Sequence, residues 1–260
     1  MARTPVPLKS AMGWSTTDRI TVKGLDLPGE ILGKLNLGDM AFLEILGKLP
    51  TPQQSTVFNA ILVTLVEHGL TPMAIASRLI YMGAPESLQA AVAAGLCGMG
   101  TTFAGTAEGA ARILHESLPV DAAADLAPVA ARIVADHKAR GAILPGIGHN
   151  LHKPVDPRAP RLFEIAGENG LRGRYIALME AIAAEAERVY KRPLPINATG
   201  AIGAICCELG ISWKAARGIA VIGRAVGLVG HLVEEQSEPI AKEIWMRAEE
   251  EASEYARTKK

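Results

Sequence analysis

Residues 51–80 read TPQQSTVFNAILVTLVEHGLTPMAIASRLI, and one structural device occurs twice within them. Thr51 followed by Pro52 supplies a hydroxyl to cap a helix and a ring to fix its first turn. Val57, Ile61, Leu62 and Leu65 then recur at helical spacing until Gly69 stops the run. Thr71-Pro72 restarts the pattern, and Ile75, Leu79 and Ile80 continue it. Outward from this pair, the same periodicity predicts helices at about 86–98, 105–116, 122–140, 158–167, 172–190, 198–209 and 213–231. Aromatics make up only 4% of the chain, and its Val and Ile stand among Ala, Leu, Glu and Arg, not in alternating runs. The expected fold class is therefore all-α.

The 260 residues fit one large domain or two modest ones, and 49% hydrophobic against 21% charged residues is ample material for a core. Lys plus Arg and Asp plus Glu number 27 each, so no global field draws the chain to nucleic acid or to an anionic membrane. Any recognition of anions must be local. The three cysteines, Cys97, Cys206 and Cys207, form no CxxC pair, which argues against a disulfide framework or a zinc site and fits a reducing cytoplasm. Met1–Ser10 carries Arg3 and Lys9 with no apolar stretch after them, unlike a secretory signal. The longest uncharged run, Leu88–Ala107, is broken by Gly95, Gly98, Gly100 and Gly105, and it reads as a closely packed buried helix, not a membrane span. Its Ala- and Gly-rich part around Ala90–Gly98 suits close packing across a homodimer interface. The charged stretch Glu234–Lys260 reads as a solvated terminal helix, or as one lying along a partner subunit.

Two polar breaks interrupt the helices, at Gly141–Pro157 and Lys191–Pro195. The first holds LPGIGHNLHKPVDPR, residues 144–158. Gly146 and Gly148 let a backbone approach a ligand closely, His149 suits proton transfer or donation to an oxyanion, and Arg158 offers a planar fork to a carboxylate. Spacing alone leaves two readings open, a functional loop or a Gly/Pro-rich connection with a stray histidine.

The loop resembles the citrate synthase signature PGxGHxxYKxxDPR at Pro145, Gly146, Gly148, His149, Lys153, Asp156, Pro157 and Arg158, with His152 where the usual Tyr stands. Glu67-His68-Gly69 resembles the family's DHG turn, and Ile222–His231 with Glu235 and Gln236 resembles FARxxGxxAHxxEQ. Arg19–Leu27 and Leu37–Leu46 are similar to the ordered region before the family's first long helix. The resemblance implies that His149 donates to the substrate carbonyl or hydroxyl and that His68, Arg158 and Arg224 hold its carboxylate. It implies that Gly146, Ile147, Gly148 and Lys153 help hold coenzyme A. No permanently bound cofactor and no metal are implied, the CoA thioester being the substrate. The implied architecture is a large helical domain (1–150 and 224–260), a small one (151–223), and a cleft between them that closes on the thioester.

Two departures separate the chain from that pattern. Where citrate synthases carry HGGAN, this chain reads Phe103-Ala104-Gly105-Thr106-Ala107, so Phe103 replaces the His that polarises the thioester carbonyl. The citryl-CoA lyase branch, as in the lyase module of ATP-citrate lyase, carries a similar FGGA with an acid two residues on, comparable with Glu108. Where relatives read NVDG or NVDF, this chain reads Asn197-Ala198-Thr199-Gly200, so Thr199 replaces the carboxylate base. A hydroxyl with a pKa far from 7 is no base without an activating neighbour. Either a retro-aldol cleavage proceeds with a His and ordered dipoles, or Glu108 or another carboxylate has taken over. The expected function is a citryl-CoA lyase-like or citrate synthase-like enzyme that cleaves or forms a carbon–carbon bond in a carboxylated 3-hydroxyacyl-CoA (acetyl-CoA plus an oxaloacetate-like keto acid). The alternative is a non-catalytic relative that binds CoA or an acyl-CoA.

Overall fold

A computed structural model describes residues 8–118 and 125–258. Its contacts divide the chain into two compact units, Met1–Asn59 and Ala60–Lys260. The first unit opens with a small antiparallel sheet of β1 (Gly13–Ser15), β2 (Ile20–Val22) and β3 (Leu25–Asp26), in that order, with Gly13 opposite Val22 and Thr21 opposite Asp26. Helical periodicity does not reveal this sheet. Its signal is Lys23-Gly24, both at positive φ (49° and 85°), the two-residue turn that matches strand twist. Asp26 then caps a π-helical turn at Leu27–Ile31 by accepting the Gly29 N–H. Helix α1 (Leu37–Leu46) is capped by Asn36 and ends at Gly47 in the left-handed region. At the start of α2 (Pro52–Val66), Thr51 Oγ1 accepts the Gln54 N–H and Gln54 Oε1 accepts the Thr51 N–H, a reciprocal capping box.

The second unit continues with α3 (Pro72–Gly83), α4 (Leu88–Cys97), α5 (Gly105–Ser117), α6 (Leu126–Ala139), α7 (Arg158–Glu168), α8 (Arg174–Tyr190), α9 (Ala198–Glu208), α10 (Trp213–Ser237) and α11 (Ala241–Thr258). Of these, α3 to α10 are the helices that the periodicity predicts, and α11 lies in the charged stretch read as a terminal helix. The expected helix at 122–140 is seen from Leu126, residues 122–124 lying outside the described ones. Apart from Thr199, helix α9 is buried from Ala198 through Cys207, and it is built of small residues for that reason. A Cβ on Gly203 would stand 2.8 Å from Ala110 Cβ and 2.9 Å from Ala107 O, so α5 and α9 cross almost backbone to backbone. Dense packing here comes from close approach, with few bulky side chains.

Helix α10 packs on α3, α4 and α5 and runs beyond the expected Gly230-His231 end. The extension has an electrostatic cause. Arg78 on α3 is fully buried, and Glu234 and Glu235 in the extra turn are its counter-ions, Glu235 Oε2 at 2.7 Å from Nη1. Length and apolarity would let α10 cross a membrane, yet half of that apolar stretch is buried within the fold. Gly223 and Gly227 let α10 approach the end of α2: a Cβ at Gly227 would lie 1.9 Å from Val66 O. That approach brings Arg224 and His231 to the turn that carries Glu67 and His68.

Candidate active site

The 144–157 loop is folded onto the segment before α9. Gly148 N–H donates to Pro195 O (2.7 Å), Asn197 N–H to Gly146 O (3.0 Å), and Asn197 Nδ2 to Gly148 O (2.7 Å). Gly146 and Gly148 take φ of 85° and 84°, and a Cβ on Gly146 would meet Gly200 Cα at 2.5 Å. Only glycine meets both demands at position 146. Ile147 is buried and bridges to Ile196.

Asp156 fastens the far end of the loop. Its carboxylate is fully buried and accepts Arg158 Nε (2.9 Å), Arg158 Nη2 (2.8 Å), the Arg158 N–H (3.2 Å) and the Ala198 N–H (2.9 Å). Burial opposes ionisation, but the Arg158 guanidinium and these donors overcome it and hold the carboxyl at about 2. Arg158 is thereby aimed, and its Nη2 lies 3.4 Å from His149 Nε2.

His149 Nδ1 accepts two backbone N–H groups, from Leu151 (3.1 Å) and His152 (2.9 Å). In the neutral ring this assigns the proton to Nε2, so His149 is set as a donor beside Arg158. Burial and the neighbouring His152, Arg158 and Lys153 outweigh Asp156 and lower the His149 pKa. His68 and His152 complete a cluster: their Nε2 atoms are 3.2 Å apart, and the His149 ring centroid lies 4.4 Å from that of His152 and 6.0 Å from that of His68. Burial, then Arg158, His152, His149 and Arg224, lower the His68 pKa as well. His152 stands in this cluster although its only sequence signal is that it replaces a Tyr of the family pattern.

Behind His68, Glu67 accepts the His68 N–H (2.8 Å) and pairs with His231 Nε2 (3.0 Å). His231 Nδ1 in turn accepts from buried Arg78. Burial works against the Glu67 carboxylate, but the backbone donors and His231 prevail and lower its pKa. Arg224 is 7% exposed, and its Nε and Nη1 are buried without a hydrogen-bond partner among the described residues. A desolvated guanidinium with open donors costs several kcal/mol unless an anion fills the space.

Among the described residues, no hydrogen bond joins the side chains of Thr199, Phe103, Glu108 or Lys153 to the three histidines. Thr199 Oγ1 donates to Asn197 Oδ1 (2.6 Å), the same oxygen that caps α9 through the Gly200 N–H, and an amide oxygen is no proton acceptor to activate it. Phe103 is 42% exposed in the turn before α5. Glu108 is ion-paired with Arg217 at 2.7 Å. Lys153 is exposed. The three imidazoles place one nitrogen each within 4.8 Å of one another, a spacing a metal ion can use. His149 Nδ1 already accepts two backbone N–H groups, and Arg158 and Arg224 both act to lower the His68 pKa.

Fold and site together define a helical protein in which three imidazoles and the guanidinium groups of Arg158 and Arg224 lie close together. Residues 36–247 match the model of the citrate synthase C-terminal domain, and the chain belongs to the citrate synthase family. The citryl-CoA lyase of Hydrogenobacter thermophilus shares the fold with a TM-score of 0.80 and 31% identity, over 89% of this chain and 88% of that one. The ATP citrate lyase of Methanothrix soehngenii, solved with citrate and coenzyme A, matches with a TM-score of 0.73 and 21% identity, over 91% of this chain and 40% of that one. The probable ATP-citrate synthase of Dictyostelium discoideum is 24% identical over 252 residues, 90% of this chain and 39% of that protein. The chain thus spans about two fifths of the length of the curated relatives it matches.

Proposed function

We propose that the protein is a citryl-CoA lyase-like enzyme acting on the CoA thioester of a carboxylated 3-hydroxy acid, which it cleaves to acetyl-CoA and an oxaloacetate-like keto acid or forms from them. The observation that carries this reading is Arg224, a buried cation with open donors beside His68 and Arg158. A substrate carboxylate is the group that satisfies it, with Arg158 and His68 as further anchors. His149, its Nε2–H fixed by the two backbone bonds to Nδ1, stabilises the oxygen on which charge develops as the carbon–carbon bond breaks or forms. Coenzyme A would lie along Gly146, Ile147, Gly148 and Lys153. Beside Ile147 is a cavity of about 270 Å³ lined by Lys138, Ile143, Tyr190 and Arg192, which offers apolar walls and two cations to a phosphorylated ligand. The substrate, not a permanently bound cofactor, would bring the CoA group. We further assign residues 1–150 and 224–260 to a large domain and 151–223 to a small one that closes over the thioester, in a homodimeric, cytoplasmic protein.

Phe103 and Thr199, at the positions of the family's His and Asp, favour a second reading, a relative that binds acyl-CoA without turnover. A thermal-shift panel of free carboxylates and CoA thioesters tests the first requirement of both readings. Citrate and citryl-CoA should raise the melting temperature of the wild type and not of Arg224→Met. Equal stabilisation of both proteins would remove Arg224 from the site.

A further inference from the structure

The site holds fixed donors, yet cleavage needs an acceptor for the substrate's hydroxyl proton. The carboxylates already hold partners. Asp156 accepts from Arg158 and Ala198, Glu67 accepts from the His68 N–H and pairs with His231, and Glu108 is ion-paired with Arg217. The Thr199 hydroxyl donates to an amide oxygen, and both nitrogens of His149 are committed, Nδ1 to backbone N–H groups and Nε2 to its proton. Unprotonated ring nitrogens remain on His68 and His152, and one of them lies between the two rings. Two neutral imidazoles with Nε2 atoms 3.2 Å apart share one N–H, so one nitrogen donates and the other accepts. His152 is also held in place, because its backbone N–H binds His149 and the two rings lie 4.4 Å apart.

We propose that His152 is the general base: in the resting site its Nε2 accepts the Nε2–H of His68, and when a carboxylate bound at Arg224 draws that N–H away, the freed lone pair takes the substrate's hydroxyl proton. This rests on the lyase reading above. The hydroxyl O–H pair becomes the carbonyl of the released keto acid. The electron pair of the breaking carbon–carbon bond passes to the thioester enolate, beside the Nε2–H of His149. The enolate carbon then takes the proton back from the His152 imidazolium, giving the acyl-CoA product and restoring the base. Condensation runs the same steps in reverse, with no oxidant, reductant or further reactant. An imidazole would thus do the work that a hydroxyl at Thr199 cannot.

The test compares wild type, His152→Gln and His152→Ala on citryl-CoA, with His115→Ala, an exposed histidine on α5, as control. Loss of a general base lowers kcat by about 10²–10⁴-fold with KM little changed. Imidazole added to the buffer should restore part of the rate to His152→Ala and none to His152→Gln, an effect that a merely structural role would not produce. Independently of turnover, ¹⁵N spectra of the histidine side chains with citrate bound should show His152 Nε2 without a proton and His68 Nε2 with one. Wild-type kcat in His152→Gln, or a protonated His152 Nε2 in the neutral citrate complex, would overturn the assignment. Absence of cleavage by the wild type itself would instead refute the lyase reading, and the base assignment with it.

Discussion

Asp156→Asn is the substitution whose effect can be worked furthest from the geometry. The wild-type carboxylate is fully buried, receives four donors and joins Arg158 to the first turn of α9. Its pKa, lowered from 3.8 to about 2, corresponds to about 2 kcal/mol of stabilisation by the ionised form. Because the folded value lies below the unfolded one, this contribution is fully present above about pH 5 and is lost as the pH falls through about 2. Asparagine cannot supply the charge or satisfy both guanidinium donors, although partial exposure of Arg158 screens part of the loss. The expected cost near neutral pH is about 2–3 kcal/mol, or roughly 5–10 °C in melting temperature for a chain of this size. Circular-dichroism melts of both proteins from about pH 7 down to about pH 3 measure it. The gap should be widest near neutrality and narrow as the pH falls. A gap that does not change with pH, or no gap at all, would refute the argument.

Gly146→Ala should destabilise by about 2–4 kcal/mol, combining a left-handed φ with a Cβ only 2.5 Å from Gly200 Cα, and a urea melt within 1 kcal/mol of wild type would contradict the clamped loop. Arg224→Met should hold or raise the melting temperature of the free protein while abolishing the shift that citrate produces, because it removes an unpartnered buried charge together with a ligand. His149→Ala should lower kcat by at least about 10²-fold with modest change in carboxylate affinity by calorimetry, as expected of a group acting mainly in the transition state. Restoring the family residues in Phe103→His with Thr199→Asp discriminates between histories: condensation of acetyl-CoA with oxaloacetate only in the double variant means a decayed synthase, and activity highest in wild type means a distinct enzyme.

Most helices were legible because their apolar spacing and Thr-Pro or Asn caps are local signals, and tertiary packing agrees with them. What the sequence hides is contact at long range. Arg78 reads as an ordinary polar position on α3, since its partners His231, Glu234 and Glu235 follow more than 150 residues later. That buried cluster explains both the length of α10 and the support behind His68. Strands of two or three residues are too short to show alternation, so the small N-terminal sheet escaped periodicity and only Lys23-Gly24 marked it. In the signature loop, spacing alone left His149 and Arg158 between a functional reading and a plain connection, whereas His68, just past α2, and Arg224, in the middle of α10, needed the family resemblance. His152 was visible only as a departure, and its meaning depends on a 3.2 Å contact with a residue 84 positions away.

The most direct measurement is to incubate the purified protein with citryl-CoA and follow the appearance of acetyl-CoA and the free keto acid together over time. Both products should appear in equal amounts, at a rate that His149→Ala lowers by at least about 10²-fold and Arg224→Met abolishes. Stabilisation by the thioester with no release of either product would contradict it and leave a binder, not a lyase.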